Sequence, residues 1–262
     1  MTTAAFDLTG RVAIITGGGT GIGAATALLL ASRGADLVLA GRRAEPLSKT
    51  AAEIGEATGR RCLALPADVT DPAQVAKLVE DTGARLGRLD ILINNAGRGR
   101  HAPLRTMPVE MWQKDVALNL NAAFYCSQAA YPHLKASGHG AIVNVSSLAG
   151  VHGTLGVGAY SAAKAGLQMF TRVAAAEWGP HGVRVNAVAC GMIATPLARQ
   201  AWAKTGFDAT DAASVFPLRR PGKVEEPAEA IAFFASDASS YITGEVLAVA
   251  GGPAITGMID TE

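Results

Sequence analysis

Cysteine, histidine, aromatic residues and charge are all scarce in this chain. Its 262 residues include three cysteines, five histidines, 5% aromatic residues and 17% charged ones. Cys62, Cys126 and Cys190 lie 64 residues apart and form no CxxC pair, so neither a disulfide framework nor a cysteine zinc site is supported. The histidines show no metal-ligand spacing. Lys plus Arg number 23 against 22 Asp plus Glu, a net charge of +1, without the basic surplus that nucleic acid or an anionic membrane requires. The N-terminal MTTAAFDLTG lacks a basic segment followed by an apolar one, so no signal peptide is expected and a reducing, cytoplasmic setting is. Val12 to Ser32 is 21 residues without a charge, long enough for a membrane span, but five glycines cluster at positions 17, 18, 19, 21 and 23. Glycines bunched at one point divide the stretch into a strand, a tight turn and a helix over Ala24 to Ala31.

What is present is a core-forming composition, with 49% hydrophobic residues and 30 glycines. Apolar runs at Val12 to Thr16, Asp36 to Ala40, Arg61 to Leu65, Asp90 to Asn94, Ala141 to Val145, Arg184 to Ala189 and Val246 to Val249 read as seven strands. Most are continuously apolar, as expected of parallel strands covered by helices on both faces. Helical stretches separate them: Glu45 to Thr58, one N-capped by Asp71 with Pro72 at its first position, Pro108 to Lys135, Ala159 to Trp178, and Pro227 to Ser236. The alternation predicts an α/β fold, a doubly wound parallel seven-stranded sheet in a single domain spanning residues 1–262. Residues 191–226 show no clear period and read as a substrate-binding loop or lid.

Strand VAIIT leads into GGGTGIG and then a helix, the context of a dinucleotide-binding turn. Glycines admit a pyrophosphate close to the backbone, and the helix N-terminus offers N–H groups and positive dipole. No Lys-Ser or Lys-Thr follows, which excludes a P-loop NTPase. The tip of the second strand reads Ala40-Gly41-Arg42-Arg43, with no acid to hold a ribose 2′-hydroxyl. Two guanidiniums there suit a 2′-phosphate, so NADP (NADPH) is favoured over NAD, against the alternative that Arg42 and Arg43 are solvated surface charges.

Tyr160 and Lys164 stand four apart near the start of a predicted helix and share one face. An ammonium held beside a phenol favours the phenolate, which would let Tyr160 exchange a proton with an alcohol or carbonyl oxygen.

Taken together, TGGGTGIG, NNAG (Asn94 to Gly97), Asn119 in LNLNAAF, Ser146-Ser147 after AIVNV, and YSAAK resemble the short-chain dehydrogenase/reductase family in type, order and spacing, over nearly the whole chain. The resemblance implies a Rossmann-type fold and catalytic roles by position. Tyr160 matches the general acid/base, Lys164 the residue that lowers its pKa and holds the nicotinamide ribose, and Ser147 the hydroxyl that orients the substrate oxygen. Ser147 is preferred to Ser146 because the family serine precedes the tyrosine by thirteen residues. Asn119 matches the residue that interrupts its helix and ties the lysine to a water chain. Cofactor contacts are implied for Gly17, Thr20, Gly21, Ile22, Gly23, Asp68, Val69, Asn95, Ala96, Gly97, Ile193 and Thr195. Asp68 could equally be a turn former.

Two departures stand out. Cys190 replaces the family's usual proline, which unsettles Ile193 and Thr195, and is itself expected to be a buried thiol rather than a nucleophile. Ala250 replaces an aspartate. The pocket walls are expected from Leu148, Val151, His152, Leu155, Met192, Leu197, Trp202, Phe207 and Phe216, suiting a hydrophobic small molecule. Arg98, Arg100 and His101 read as a solvated loop or as contacts to an anionic substrate group.

The expected activity is therefore NADP-dependent interconversion of a carbonyl and a secondary alcohol. The alternatives are an enoyl (C=C) reductase on the same fold and a catalytically silent dinucleotide sensor or scaffold. The resemblance also implies a homotetramer through Pro108 to Lys135 and Ala159 to Trp178, with no nucleic-acid or membrane partner.

Overall fold

The computed structural model describes residues 3–252; of the expected domain, residues 1–2 and 253–262 lie outside the described residues. Seven strands form one sheet: β1 (Val12–Thr16), β2 (Asp36–Gly41), β3 (Cys62–Pro66), β4 (Ile91–Asn94), β5 (Ala141–Ser147), β6 (Arg184–Cys190) and β7 (Val246–Val249). Every pairing is parallel and the order is β3-β2-β1-β4-β5-β6-β7, the doubly wound Rossmann-type arrangement expected. The order reverses between β1 and β4, so a crevice opens beyond their carboxyl ends, where Thr16 and Asn94 stand.

The continuous apolar runs are buried on both faces. Ala13, Ile15, Leu37, Leu39, Ile91 and Ile93 pack with Ala27 and Leu30 of α1 (Gly21–Ser32), Leu47 and Ile54 of α2 (Ala44–Thr58), and Ile231 and Phe234 of the last helix. Their neighbours Val12, Ile14, Val38, Ala40 and Leu92 pack on the other face with Val75, Leu78 and Val79 of α3 (Pro72–Leu86). Period-two alternation thus feeds two cores from one sheet. Helix α3 starts as expected, the Asp71 carboxylate accepting from the N–H of Ala73 at 2.9 Å and Pro72 opening the first turn, and it ends on Gly87 at φ +83°. The uncharged stretch Val12 to Ser32 is β1, the turn and α1; among the described residues no helix is long and apolar enough to cross a membrane.

Two expectations need correcting. Pro108 to Lys135 is not one regular helix but α4 (Val109–Val116), a π-helical stretch over Ala117–Asn121, and α5 (Ala122–Ser137). The widened turn falls around the buried Asn119, whose side chain is committed to bonds across the helix, a common cause of such a bulge. Nor is 191–226 irregular. After the one-turn α6 (Ala149–His152) and the long α7 (Gly158–Trp178), the chain forms α8 (Pro196–Thr205) and α9 (Ala209–Ala212) before α10 (Glu225–Ala235). Thr195 caps α8 by accepting from the N–H of Ala198 at 3.1 Å, with Pro196 at the first position, and Asp208 caps α9. These helices were missed because their apolar residues make no sustained stripe; none of α8 is fully buried.

Candidate active site

The glycine turn joins β1 to α1 at the switch point. Gly17 and Gly21 take φ of +67° and +60°, conformations that a side chain would strain. A Cβ on Gly23 would come within 2.6 Å of the Asn95 amide nitrogen, so the turn closes only with glycine there. Asn95 locks the turn from β4, its amide donating to the carbonyl oxygens of Thr16 at 2.9 Å and Gly17 at 3.2 Å. The Thr16 hydroxyl accepts from the N–H groups of both Asn95 and Ala96 at 3.0 Å. Thr16, buried at the carboxyl end of β1, thus belongs to the site, which the glycine motif alone does not indicate.

Thr20, exposed at the N-cap of α1, makes no side-chain capping bond, which leaves the first-turn N–H groups of Gly21, Ile22 and Gly23 facing the crevice without that partner. Across the mouth, Thr195 lies 3.6 Å from where a Cβ on Gly21 would be. Ile193, buried, bridges Gly222. Despite Cys190, then, Thr195 stands beside the turn, while Ile193 packs against Gly222. Arg42 and Arg43 are exposed at the end of β2, with Arg43 at the uncapped start of α2. Asp68 accepts from the N–H and hydroxyl of Thr70 at 3.0 and 2.7 Å, so it does form the turn, and Val69 beside it is buried.

At the carboxyl end of β5, Ser146 and Ser147 diverge. Ser146 is buried and donates to the Lys164 carbonyl at 3.2 Å, while Gln168, unnoticed in the sequence, donates to the Ser146 hydroxyl at 3.0 Å and to the Ser147 carbonyl at 3.1 Å. Ser147 is half-buried and its hydroxyl faces Tyr160. Lys164, 3% exposed, donates to the Val145 carbonyl at 2.7 Å and sits 5.7 Å from the centre of the Tyr160 ring. Burial pushes the lysine down to about 8.

The expected lowering of the phenol is not what the protein's own groups produce. Burial raises the Tyr160 phenol above its ordinary value; the Ser147 hydrogen bond opposes this without outweighing it, and the negative charge of Asp115 adds to the rise. The physical reason is that burial lowers Lys164 to about 8, below the range where the phenol ionises, so desolvation of the phenol goes unanswered by the lysine's charge. Cys190 is 7% exposed and burial pushes its thiol up to about 12, so it is protonated at neutral pH and not a nucleophile.

Asn119 does not touch Lys164 by hydrogen bond. Its carbonyl oxygen accepts from the N–H of Arg98 at 3.0 Å, and its amide donates to the carbonyls of Arg98 and Asp115, both at 2.9 Å. Gly97 fills the gap: a Cβ there would lie 2.8 Å from the Asn119 oxygen and 3.3 Å from the lysine nitrogen. Arg100 is not a solvated loop charge, because its guanidinium pairs with the wholly buried Asp115. Asp115 stands one helical turn before Asn119, a spacing that could have flagged it.

A cleft of about 370 Å³ opens beside this loop, lined by Arg98, Gly99, Arg100, His101, Met111, Leu197 and Ala201. Of the expected wall residues, Leu197 lines it; Leu155, 96% exposed, faces solvent, and Val151 is also exposed. Trp202 and Phe207 pack on each other with ring centres 6.3 Å apart. Among the described residues, no group of three or more His, Cys, Asp or Glu could hold a metal ion.

The family model described as enoyl-(acyl carrier protein) reductase matches residues 17–253. The chain belongs to the short-chain dehydrogenase/reductase family. It is 46% identical over 243 residues to a cis-4-hydroxycyclohexanecarboxylate dehydrogenase of Sinomonas cyclohexanicum, covering 92% of this chain and 96% of that one. It is 37% identical over 242 residues to a cyclohexanol dehydrogenase of an Acinetobacter species, covering 92% and 94%. Among solved structures, an NAD+-bound xylitol dehydrogenase superposes with a TM-score of 0.88 at 31% identity, covering 94% of this chain and 99% of that one. This member of the family is accordingly an NAD(P)-dependent oxidoreductase acting on CH–OH groups. The glycine cradle, closed to any Cβ at Gly23, and the first turn of α1 fit a dinucleotide.

Proposed function

We propose that the protein interconverts a hydrophobic secondary alcohol and its ketone with NADP, using Tyr160 as general acid/base. The observation that carries this is the meeting of Ser147, Tyr160 and Lys164 at the carboxyl end of β5, beside the glycine cradle of the switch point. Gly17, Thr20, Gly21, Ile22 and Gly23 would hold the pyrophosphate, Asp68 and Val69 the adenine, and Ala96, Gly97, Ile193 and Thr195 the nicotinamide side. When bound, the dinucleotide supplies or accepts the hydride.

The chain's own residues handle the proton. Ser147 holds the substrate oxygen, and Tyr160 takes the alcohol proton or returns one to the carbonyl. Lys164, charged below about pH 8, would hold the nicotinamide ribose beside the phenol, and Asn119 holds the Arg98 backbone. Arg42, exposed at the tip of β2, favours a 2′-phosphate through its fork of N–H donors, with Arg43 beside it.

The cleft against Met111 and Leu197 supports an apolar substrate, and the two relatives whose names carry a cyclohexane ring support a cyclic one. Residues 191–226 would form its lid. Exposed Phe124, Met169 and Val173 on α5 and α7 support a homotetramer, and three free thiols support a reducing, cytoplasmic setting.

The test is turnover of NADPH with substituted cyclohexanones, followed by nicotinamide absorbance. Ketone turnover at rates well above those with an enoyl thioester supports the reading. Preference for the enoyl thioester would favour the C=C reductase that the matching family model's description names. Tight nucleotide binding without any turnover would favour a sensor.

A further inference from the structure

The three residues after NNAG are held one by one. Both backbone groups of Arg98 bond the Asn119 side chain, at 3.0 and 2.9 Å. The N–H of Arg100 donates to one Asp115 oxygen at 3.2 Å while its guanidinium pairs with the other. Between them, Gly99 lies flat on the Tyr160 ring: a Cβ there would stand 3.3 Å from Cγ and 3.5 and 3.6 Å from the two Cδ atoms. Just beyond, the N–H of Ala102 donates to the Gly156 carbonyl at 2.8 Å, tying the segment to the approach to α7.

A carboxylate with no exposure is costly unless paired, and Asp115 draws its pairing from one residue of this short segment. The energetic demand of that charge therefore falls on the position of the loop. The Arg100 side chain is 29% exposed and lines the cleft, so the pair reaches from the cleft wall to a carboxylate with no exposure.

We infer that the Arg100–Asp115 pair is a positioning device for Tyr160, pinning the Gly99 backbone against the phenol ring and partly offsetting the charge of a buried carboxylate near it. This rests on the reading of Tyr160 as general acid/base. The charged and titratable groups facing the ring are Lys164 on its own helix, Cys190 on β6, and Asp115 on α4 with its partner Arg100; Ser147 on β5 adds a hydroxyl. Of these, Arg100 is the cation that answers Asp115.

Three variants test it in the full-length protein, with Tyr160→Phe alongside. Arg100→Met leaves the buried anion without its cation. It should lower kcat about tenfold, leave the nucleotide KM within about twofold, and move the alkaline rise of alcohol oxidation to higher pH by about half a unit or more. Arg100→Lys keeps the charge and should return the pH profile toward that of the parent while recovering only part of kcat, since the fork is lost. Gly99→Ala adds a methyl at the ring face and should lower kcat without moving nucleotide KM; it decides the matter if Arg100→Met does not fold.

Parent-like kcat and pH profile in folded Arg100→Met, or parent-like kcat in Gly99→Ala, overturns the inference. The outcomes separate from those of the underlying reading: inactive Tyr160→Phe with unaffected positioning variants defeats the inference alone, whereas active Tyr160→Phe defeats the acid/base assignment itself.

Discussion

The ammonium of Lys164 donates to the carbonyl oxygen of Val145 at 2.7 Å, so a buried cation is tied to the central sheet one turn from the tyrosine it serves. Burial brings its pKa from 10.5 to about 8. The unfolded chain then binds more protons between those values, and folding becomes more favourable as pH rises through that window. Comparing Lys164→Met with the parent in denaturant melts, the parent should gain on the variant between about pH 8 and 10.5, by up to ~3 kcal/mol. A flat difference would show that the lysine is not desolvated as described.

Loss of the phenol removes the proposed proton carrier but little of the nucleotide site. General acid/base groups contribute roughly 10²- to 10⁴-fold, so Tyr160→Phe should lower kcat by about 10³-fold. NADPH affinity, read by fluorescence titration, should stay within about threefold.

Arg42 stands exposed where a 2′-phosphate would be recognised. A hydrogen bond to a charged group is worth about 1.5–3 kcal/mol, so Arg42→Ala should raise the KM for NADPH at least about tenfold and change that for NADH by less than about twofold. Equal effects on both nucleotides would remove the assignment.

Glycines at the turn and elsewhere differ in what surrounds them. A Cβ on Gly23 meets Asn95 and the Gly17 backbone, whereas Gly87, at φ +83°, has open space. Gly87→Ala should cost about 1 kcal/mol from backbone strain alone. Gly23→Ala should cost more and weaken nucleotide binding as well, measured by thermal shift with and without NADPH.

The residue order by itself determined what depends on neighbours in the chain. Strand bounds came out within two residues because period and burial are local, as at Val246–Val249. The same holds for the Asp71 cap, the glycine turn and the one-turn spacing of Tyr160 and Lys164, since capping geometry and helical pitch act over a few residues. Motif order also told Ser147 from Ser146, which the structure separates by the direction of their hydroxyls.

Only the tertiary structure decided the rest. Strand order across the switch point, the stacking of Gly99 on Tyr160, and the pairing of Arg100 with Asp115 join residues from 15 to 78 apart in sequence. The spacing of Tyr160 and Lys164 alone points to a lowered phenol, whereas burial raises it, because a pKa depends on how much water is excluded as much as on which charge is near. Helix α8 was invisible for a related reason: it lies on the surface, so no buried stripe marks it, and its cap holds it in place. Proximity along a chain sets local form, while desolvation and long-range contact, which set this site's chemistry, exist only once the sheet has assembled.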